Sequence, residues 1–333
     1  MTFSHPLAAW RGLVQWLFLL WVLYLGIRLG LFVEHFTSGG LTPAIARPTG
    51  VDGFLPIGGL VSLKYWLLAD HFDTRHPAAL VLLLTFMSMS FLTKKSFCSW
   101  LCPVGTLSEG LWKLGQRLFG RNFVPWRWLD RLLCSLKYLL LAFFVKILWV
   151  DMMAPAIGDF LRTPYWAVSD IKMLHFFTHP SRTTLLVLGV LVGLSLLYRN
   201  VWCRYLCPYG ALLGVLSLFS PFKIRRQREN CTDCRQCSRA CPFHIQVHRQ
   251  EAVCSTQCTG CLSCVESCPT GCLSMKPPLP QSVAVPRWLF PLCLLLVYVV
   301  GVGLGMATGH WHSDLTAADY QHLIPLLQKM QHY

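Results

Sequence analysis

The chain has 333 residues, room for about two domains, of which 54% are hydrophobic and only 13% charged. An ordinary soluble domain carries about 25% charged residues, so this composition argues against a wholly soluble chain, and its 13% of aromatic residues argues against a disordered one. The formal net charge is +14, but the basic residues sit between apolar segments rather than along one amphipathic helix, which points to membrane topology and away from nucleic acid.

Five apolar runs, roughly 10–33, 78–95, 131–150, 183–200 and 287–307, reach or approach the ~20 residues that cross a bilayer. The first has no small-residue cleavage pattern after it and reads as a retained helix rather than a signal peptide. Residues 51–68 (VDGFLPIGGLVSLKYWLL) are apolar but interrupted by Pro56 and Gly58-Gly59. They read as an interfacial or re-entrant segment on the outer side, with a sixth span as the alternative. Between the second and third runs lie Lys94, Lys95, Lys113, Arg117, Arg121, Arg127 and Arg131, and residues 199–287 hold eleven Lys and Arg. The positive-inside rule then puts the N-terminus and everything from 199 to 287 in the cytoplasm, and the tail after the fifth run outside.

The second and fourth runs end in matching motifs, FCSWLCPVGTL at 97–107 and WCRYLCPYGAL at 202–212, offset by 105 residues. Each run opens with His-Pro (His76-Pro77 and His179-Pro180). The pattern reads as a same-direction internal repeat related by an axis along the membrane normal. In each motif the two cysteines either share a helical face, or Pro103 and Pro208 start a new helix with Cys102 and Cys207 at its positive end. Cys98, Cys102, Cys203 and Cys207 are therefore candidate ligands of a third iron–sulfur centre, or a redox-active dithiol, or packed small residues.

Sixteen cysteines that cluster in this way point to metal rather than to bridges. The plainest signal is C-x2-C-x2-C-x3-C-P, present at Cys231, Cys234, Cys237 and Cys241 and again 27 residues later at Cys258, Cys261, Cys264 and Cys268. This is the run of bacterial two-cluster ferredoxins, in which the fourth cysteine reaches the other cubane. One cluster would take Cys231, Cys234, Cys237 and Cys268; the other would take Cys258, Cys261, Cys264 and Cys241. Structural zinc calls for two C-x2-C pairs, not two complete runs each ending in proline, and a cytosolic location disfavours disulfides. Short apolar alternations at Ile245 and Val247 and at Leu273 and Met275 suit small strands covering the clusters.

The remaining signals have plain readings. Cys254, Cys272, Cys134 and Cys293 are read as small packed residues. His71, His76, His175 and His179, at the outer ends of runs two and four, could hold haem or quinone but more simply start helices, and His310 and His312 suit the interface. Arg28, Lys146 and Lys64 read as snorkelling cations. Lys223, Arg225, Arg226 and Arg228 would lie on anionic headgroups or dock an acidic redox partner.

With the doubled CxxxCP motif followed by a two-cluster ferredoxin, the chain resembles the NapH-type membrane ferredoxins, a group that includes the membrane cores of NosR and of CcoG-like proteins. The resemblance covers roughly residues 10–280. It implies a multi-pass bacterial inner-membrane redox protein that works between the quinone pool and a reductase chain. The eight ferredoxin cysteines would be cluster ligands, and no haem is expected. NosR's flavin-binding domain and CcoG's immunoglobulin-like domain are not expected; a fifth span and an outer tail are added.

The expected fold is an all-α integral membrane helix bundle of about five spans with an internal repeat, plus a small α+β two-cluster ferredoxin domain. Its division is 1–220 (bundle), 221–280 (cytoplasmic ferredoxin domain) and 281–333 (last span and periplasmic tail). The expected function is electron transfer through two 4Fe–4S clusters, with membrane lipid, the quinone pool and a redox partner protein as partners. A metal-reducing maturation factor of the CcoG kind and a membrane redox sensor are the alternatives.

Overall fold

The computed structural model describes residues 6–277, 285–286 and 288–327. Helix α1 (Pro6–Thr37) has 32 residues, about 48 Å at ~1.5 Å per residue, which exceeds the ~30 Å of a hydrocarbon core. Trp16, Leu20 and Ile27 are exposed along it, as lipid-facing residues are. A 3-10 turn over Thr49–Phe54 leads into α2 (Pro56–Ala69). This 14-residue helix is too short to span. Pro56 takes its first turn, where a missing N–H costs nothing. Gly58 and Gly59 are there for close packing: an added Cβ would lie 2.0 Å from the Trp166 ring and 2.9 Å from the Ala79 carbonyl, respectively.

Helix α3 (Pro77–Thr93) ends where Lys94 adopts a left-handed φ of 65°. The short α4 (Phe97–Trp100) and the amphipathic α5 (Pro103–Phe119) follow. Helix α6 (Arg127–Val145) runs on through a π-helical turn, Lys146–Asp151. Then come α7 (Ala154–Leu161), α8 (Pro164–Ala167), α9 (Ser169–Thr178), α10 (Arg182–Leu197), a π-helical turn at Trp202–Leu206 and α11 (Pro208–Leu216). The cysteine-rich segment holds β1 (Lys223–Arg226), α12 (Gln236–Arg239), α13 (Ser263–Glu266) and β2 (Leu273–Lys276). Helices α14 (Leu289–Ala307) and α15 (Ala317–Leu323) close the described chain.

Among the described residues, three helices are long and apolar enough to cross a membrane: Leu7–Thr37, Arg127–Asp151 and Leu289–Ala307. A fourth span exists if α9 and α10 count as one, although they bend by 74° across residues 179–181. Of the five expected spans, three or four have a counterpart among the described residues. The second run forms only the 17 residues of α3, cut off by the turn at Lys94, and the fourth forms 16, starting after Pro180. Residues 278–284, before the last run, and 328–333, at the end of the expected tail, lie outside the described residues.

Two compact units share the chain discontinuously. One comprises Met1–Leu19, Phe86–Ala142 and Gly189–Tyr298; the other comprises Leu20–Thr85, Phe143–Leu188 and Val299–Tyr333. All the motif cysteines belong to the first. In the second, Arg47 bonds Asp52 at 2.5 Å and Asp170 at 2.8 Å, and His76 bonds Asp52 at 3.0 Å. Charges this deeply buried persist because they are paired.

Among the described residues the sheet has two strands. β1 and β2 run antiparallel, with Ile224 opposite Met275 and Arg226 opposite Leu273. Leu273 and Met275 behave as the alternation suggested, but their partner is the basic Lys223–Arg226 stretch, and Val247 lies in a 3-10 turn. Ile224 is buried and Arg228 pairs with Glu251 at 2.8 Å. This stretch thus pairs in the sheet that backs the cysteines.

Candidate metal centres

The two ferredoxin runs fold alike. In the first, Asp233 and Arg235 take φ of 51° and 60°; in the second, Gly260 and Leu262 take 61° and 60°. These left-handed residues curl each loop, so that the amide of Asp233 faces the Cys231 sulfur and that of Gly260 faces Cys258. Arg235 and Leu262 are also the N-caps of α12 and α13, which places Cys237 and Cys264 in those helices. The fourth cysteines match as well. Cys241 accepts amide hydrogen bonds from Phe243 and Ile245, and Cys268 from Thr270 and Cys272. Amides aimed at sulfur are a principal means of tuning an iron–sulfur potential.

Two pockets result. One is lined by Cys258, Cys261, Cys264 and Cys241 together with Ile224, Phe243 and Ile245. The other is lined by Cys231, Cys234, Cys237 and Cys268 together with Arg226, Arg235 and His248. Each takes three cysteines from one run and the last cysteine from the other. Their surroundings differ. Burial pushes the Cys241 thiol up to about 12 and raises Cys258 and Cys264. Cys231 is lowered, chiefly by the Asp233 amide and further by Arg226. Cys268, against its burial, is lowered by the Thr270 hydroxyl and neighbouring donors.

The CxxxCP cysteines also come together. Cys98 lies in α4, Cys203 in the π-helical turn, and Cys102 and Cys207 are the N-caps of α5 and α11, each ahead of a proline in the first turn. The Val104 and Gly105 amides donate to Cys102, and those of Tyr209 and Gly210 to Cys207, the last at 3.2 Å. Gly105 has to be glycine, since an added Cβ would stand 2.2 Å from the Cys98 carbonyl oxygen. Cys203 interacts electrostatically with Cys98, Cys102 and Cys207. Burial raises Cys98 to about 12 and Cys102 to about 11. Such thiols stay protonated and poorly nucleophilic at neutral pH, which disfavours a dithiol that works by exchange. Coordination to a metal would remove the proton.

The donor sets suit cubanes better than single ions. Among the described residues, no three Cys, His, Asp or Glu side chains converge on a point that could hold one metal ion. A 4Fe–4S cluster takes its four thiolates on separate irons and so spreads them further apart.

The loop that opens the second run rests on the first CxxxCP segment. Ser99 donates to the Thr259 carbonyl at 2.7 Å and the Trp100 indole to that of Gly260 at 3.2 Å. Tyr138 donates to the Thr256 hydroxyl at 2.6 Å. Lys95 and Lys137 bond Thr256 O at 3.3 Å and Gln257 Oε1 at 2.8 Å, while Lys94 bonds Ser217 O at 3.1 Å. Lys94 and Lys95, which in the sequence count as topology charges, and Lys137 are all buried. A lysine in the middle of the 131–150 apolar run was the signal available for Lys137.

The other candidates disperse. Cys272 sits 3.4 Å from Cys268 at the edge of the second pocket, and Cys254 is exposed. Cys134 and Cys293 are half-buried. Both ring nitrogens of His76 are engaged, Nδ1 by Asp52 and Arg47 and Nε2 by Trp166 O, so neither is free for haem iron. His71 bonds Ala69 O at 2.8 Å, His175 and His179 meet edge to face at 5.4 Å, and the His310 ring is tilted against Phe72 at 4.2 Å. His312 lies 3.5 Å from the Thr49 hydroxyl, and Arg28 reaches Ala46 O. Lys146 pairs with Asp151 on the surface. Lys64 does not snorkel. It is buried and donates to Leu148, Trp149 and Met152 carbonyls, a cation on the negative end of the helix begun by α6.

Comparison with known proteins adds to this geometry. The family model described as a 4Fe-4S binding domain matches residues 75–122 and 183–227, the two CxxxCP segments, and one described as a 4Fe-4S dicluster domain matches 223–269. The chain is 45% identical to YccM of Escherichia coli K12, provisionally described as an electron transport protein, over 97% of this chain and 92% of that one. It is 24% identical to the ferredoxin-type protein NapH of Haemophilus influenzae over 61% of this chain and 70% of NapH. It is 30% identical to the regulatory protein NosR of Pseudomonas aeruginosa over 56% of this chain and 25% of NosR. No solved structure matches the chain.

Proposed function

Because the chain belongs to the family of membrane-bound ferredoxin-type electron-transport proteins that includes NapH and NosR, we propose that it passes electrons between the quinone pool and a redox partner protein. Cys231, Cys234, Cys237 and Cys268 hold one 4Fe–4S cluster; Cys258, Cys261, Cys264 and Cys241 hold the second. Cys98, Cys102, Cys203 and Cys207 hold a third centre. When bound, these groups supply one-electron chemistry that needs no general acid or base. The protein's own part is placement: amides aimed at sulfur, a mostly apolar wall around one pocket, and the Ser99–Thr259 and Trp100–Gly260 bonds that fix the second run against the CxxxCP segment.

The observation that carries this reading is the exchange of fourth cysteines, Cys268 in the pocket of the first run and Cys241 in that of the second. The excess of Lys and Arg around these segments supports a cytoplasmic location for them and a bacterial inner membrane as the host. Residues 1–220 then serve as bundle, 221–280 as ferredoxin domain and 281–333 as last span and periplasmic tail. The test is anaerobic mixing of detergent-purified protein with a quinol analogue. Bleaching of the visible cluster absorbance is the expected result. Bleaching by dithionite but not by quinol would refute the link to the quinone pool.

A further inference from the structure

Lys94, Lys95 and Lys137 are 0%, 1% and 0% exposed. Among the described residues none of them makes a salt bridge with a carboxylate; their ammonium groups hydrogen-bond Ser217 O, Thr256 O and Gln257 Oε1, and those of Lys95 and Lys137 lie 5.6 Å and 5.3 Å from the Phe243 and Tyr138 rings. A cation taken out of water without an opposite charge is expensive, and neutral oxygens offset only part of that cost. The groups near them that can carry negative charge are cysteines. Lys95 interacts electrostatically with Cys98, Cys203 and Cys207 on one side and with Cys258 on the other. Lys137 interacts with Cys98 and Cys207, and Lys94 with Cys258.

We propose that Lys95, seconded by Lys137 and Lys94, is the counter-charge shared by the CxxxCP centre and the cluster of the second ferredoxin run, and that it holds both at higher reduction potential than they would otherwise have. The physical reason is charge. A cubane with four thiolates carries about −2 when oxidised, and reduction adds another negative charge. A fixed cation behind a low-dielectric wall favours that added charge, while solvent screens a cation at the surface. The pocket of the first run is lined by Arg226, Arg235 and His248, with Arg226 3.5 Å from the Cys231 sulfur, and Cys234 in that pocket is exposed. The lysines are positioning residues, acting on the electron through the field they set.

The inference rests on cubanes occupying these pockets. That premise is checked separately, by acid-labile sulfide in the unaltered protein; its absence would refute the premise and leave nothing to tune. The test of the inference is Lys95→Gln and Lys137→Gln, which keep a donor for Thr256 and Gln257 but remove the charge, with Lys95→Arg as the charge-retaining control. Full-length protein is titrated redox-potentiometrically by EPR, with signals assigned through Cys234→Ser and Cys261→Ser. In the Gln variants, reduction of the second-run cluster should become about tenfold less favourable, about 59 mV for one electron. Iron content and the first-run cluster should be unchanged, and Lys95→Arg should sit near the unaltered protein. Loss of second-run iron in Lys95→Gln but not in Lys95→Arg also supports the proposal. Unchanged potentials with iron intact, or equal loss of iron in the Arg and Gln variants, would overturn it and leave these residues as clamps on the 256–257 loop.

Discussion

The pocket of Cys258, Cys261, Cys264 and Cys241 and the pocket of Cys231, Cys234, Cys237 and Cys268 have the same spacing, the same pair of left-handed residues and the same amide pattern on sulfur. What surrounds them differs, although Cys237 of the second is also buried. Ile224, Phe243 and Ile245 wall the first, while Arg226, Arg235 and an exposed Cys234 mark the second. A motif fixes which sulfurs can hold a cubane. The environment decides how readily the cubane takes an electron and how easily a partner reaches it. The loop of the apolar pocket rests on the first CxxxCP segment through Ser99 and Trp100, whereas Cys234 of the basic pocket is exposed.

The hardest way to break the comparison is to exchange its crossed ligands. Cys241→Ser, although it lies in the first run, should remove about four iron and abolish the EPR signal of the second-run cluster; Cys268→Ser should abolish the other. The reverse pattern would show that each run closes its own cluster. Next in size is the chemistry of the metal-free thiols. At pH 8, Cys231 should alkylate about a hundredfold or more faster than Cys241, since one lies below the ordinary thiol value and the other is near 12. Peptide mapping after timed iodoacetamide exposure measures this, and equal rates would mean the walls do not differ as described.

The matching loop positions sharpen the comparison further. Gly260→Ala puts a Cβ on a residue with φ of 61° and 3.0 Å from Thr93 O, and should cost about 1–2 kcal/mol. Asp233→Gly, at φ 51°, should be neutral or gain up to about 1 kcal/mol. Thermal unfolding in detergent compares the two. Smallest of all, Arg226→Gln should lower the first-run potential by less than Lys95→Gln lowers the second, because Arg226 is half-exposed and screened.

What could be read from sequence was local. The cysteine runs, and the prolines that start α5 and α11 with Cys102 and Cys207 as caps, are set by neighbours a few residues away. Burial of Lys94, Lys95 and Lys137 was not legible, because it depends on Thr256 and Gln257 arriving from more than a hundred residues on. Lys64 likewise takes its role from carbonyls more than eighty residues later. The five-span count is not confirmed, for a related reason: hydropathy sees an apolar run but not the bend at residues 179–181 or the turn at Lys94 that shortens it. The β1 strand was hidden because three of its four residues, Lys223, Arg225 and Arg226, are basic and only Ile224 shows the strand period.

The account stands or falls on the inorganic content of the protein. Full-length chain, purified anaerobically in detergent, should carry iron and acid-labile sulfide in equal amounts, about eight of each for the ferredoxin pockets and about twelve with the CxxxCP centre. Iron without sulfide, or neither, would contradict it.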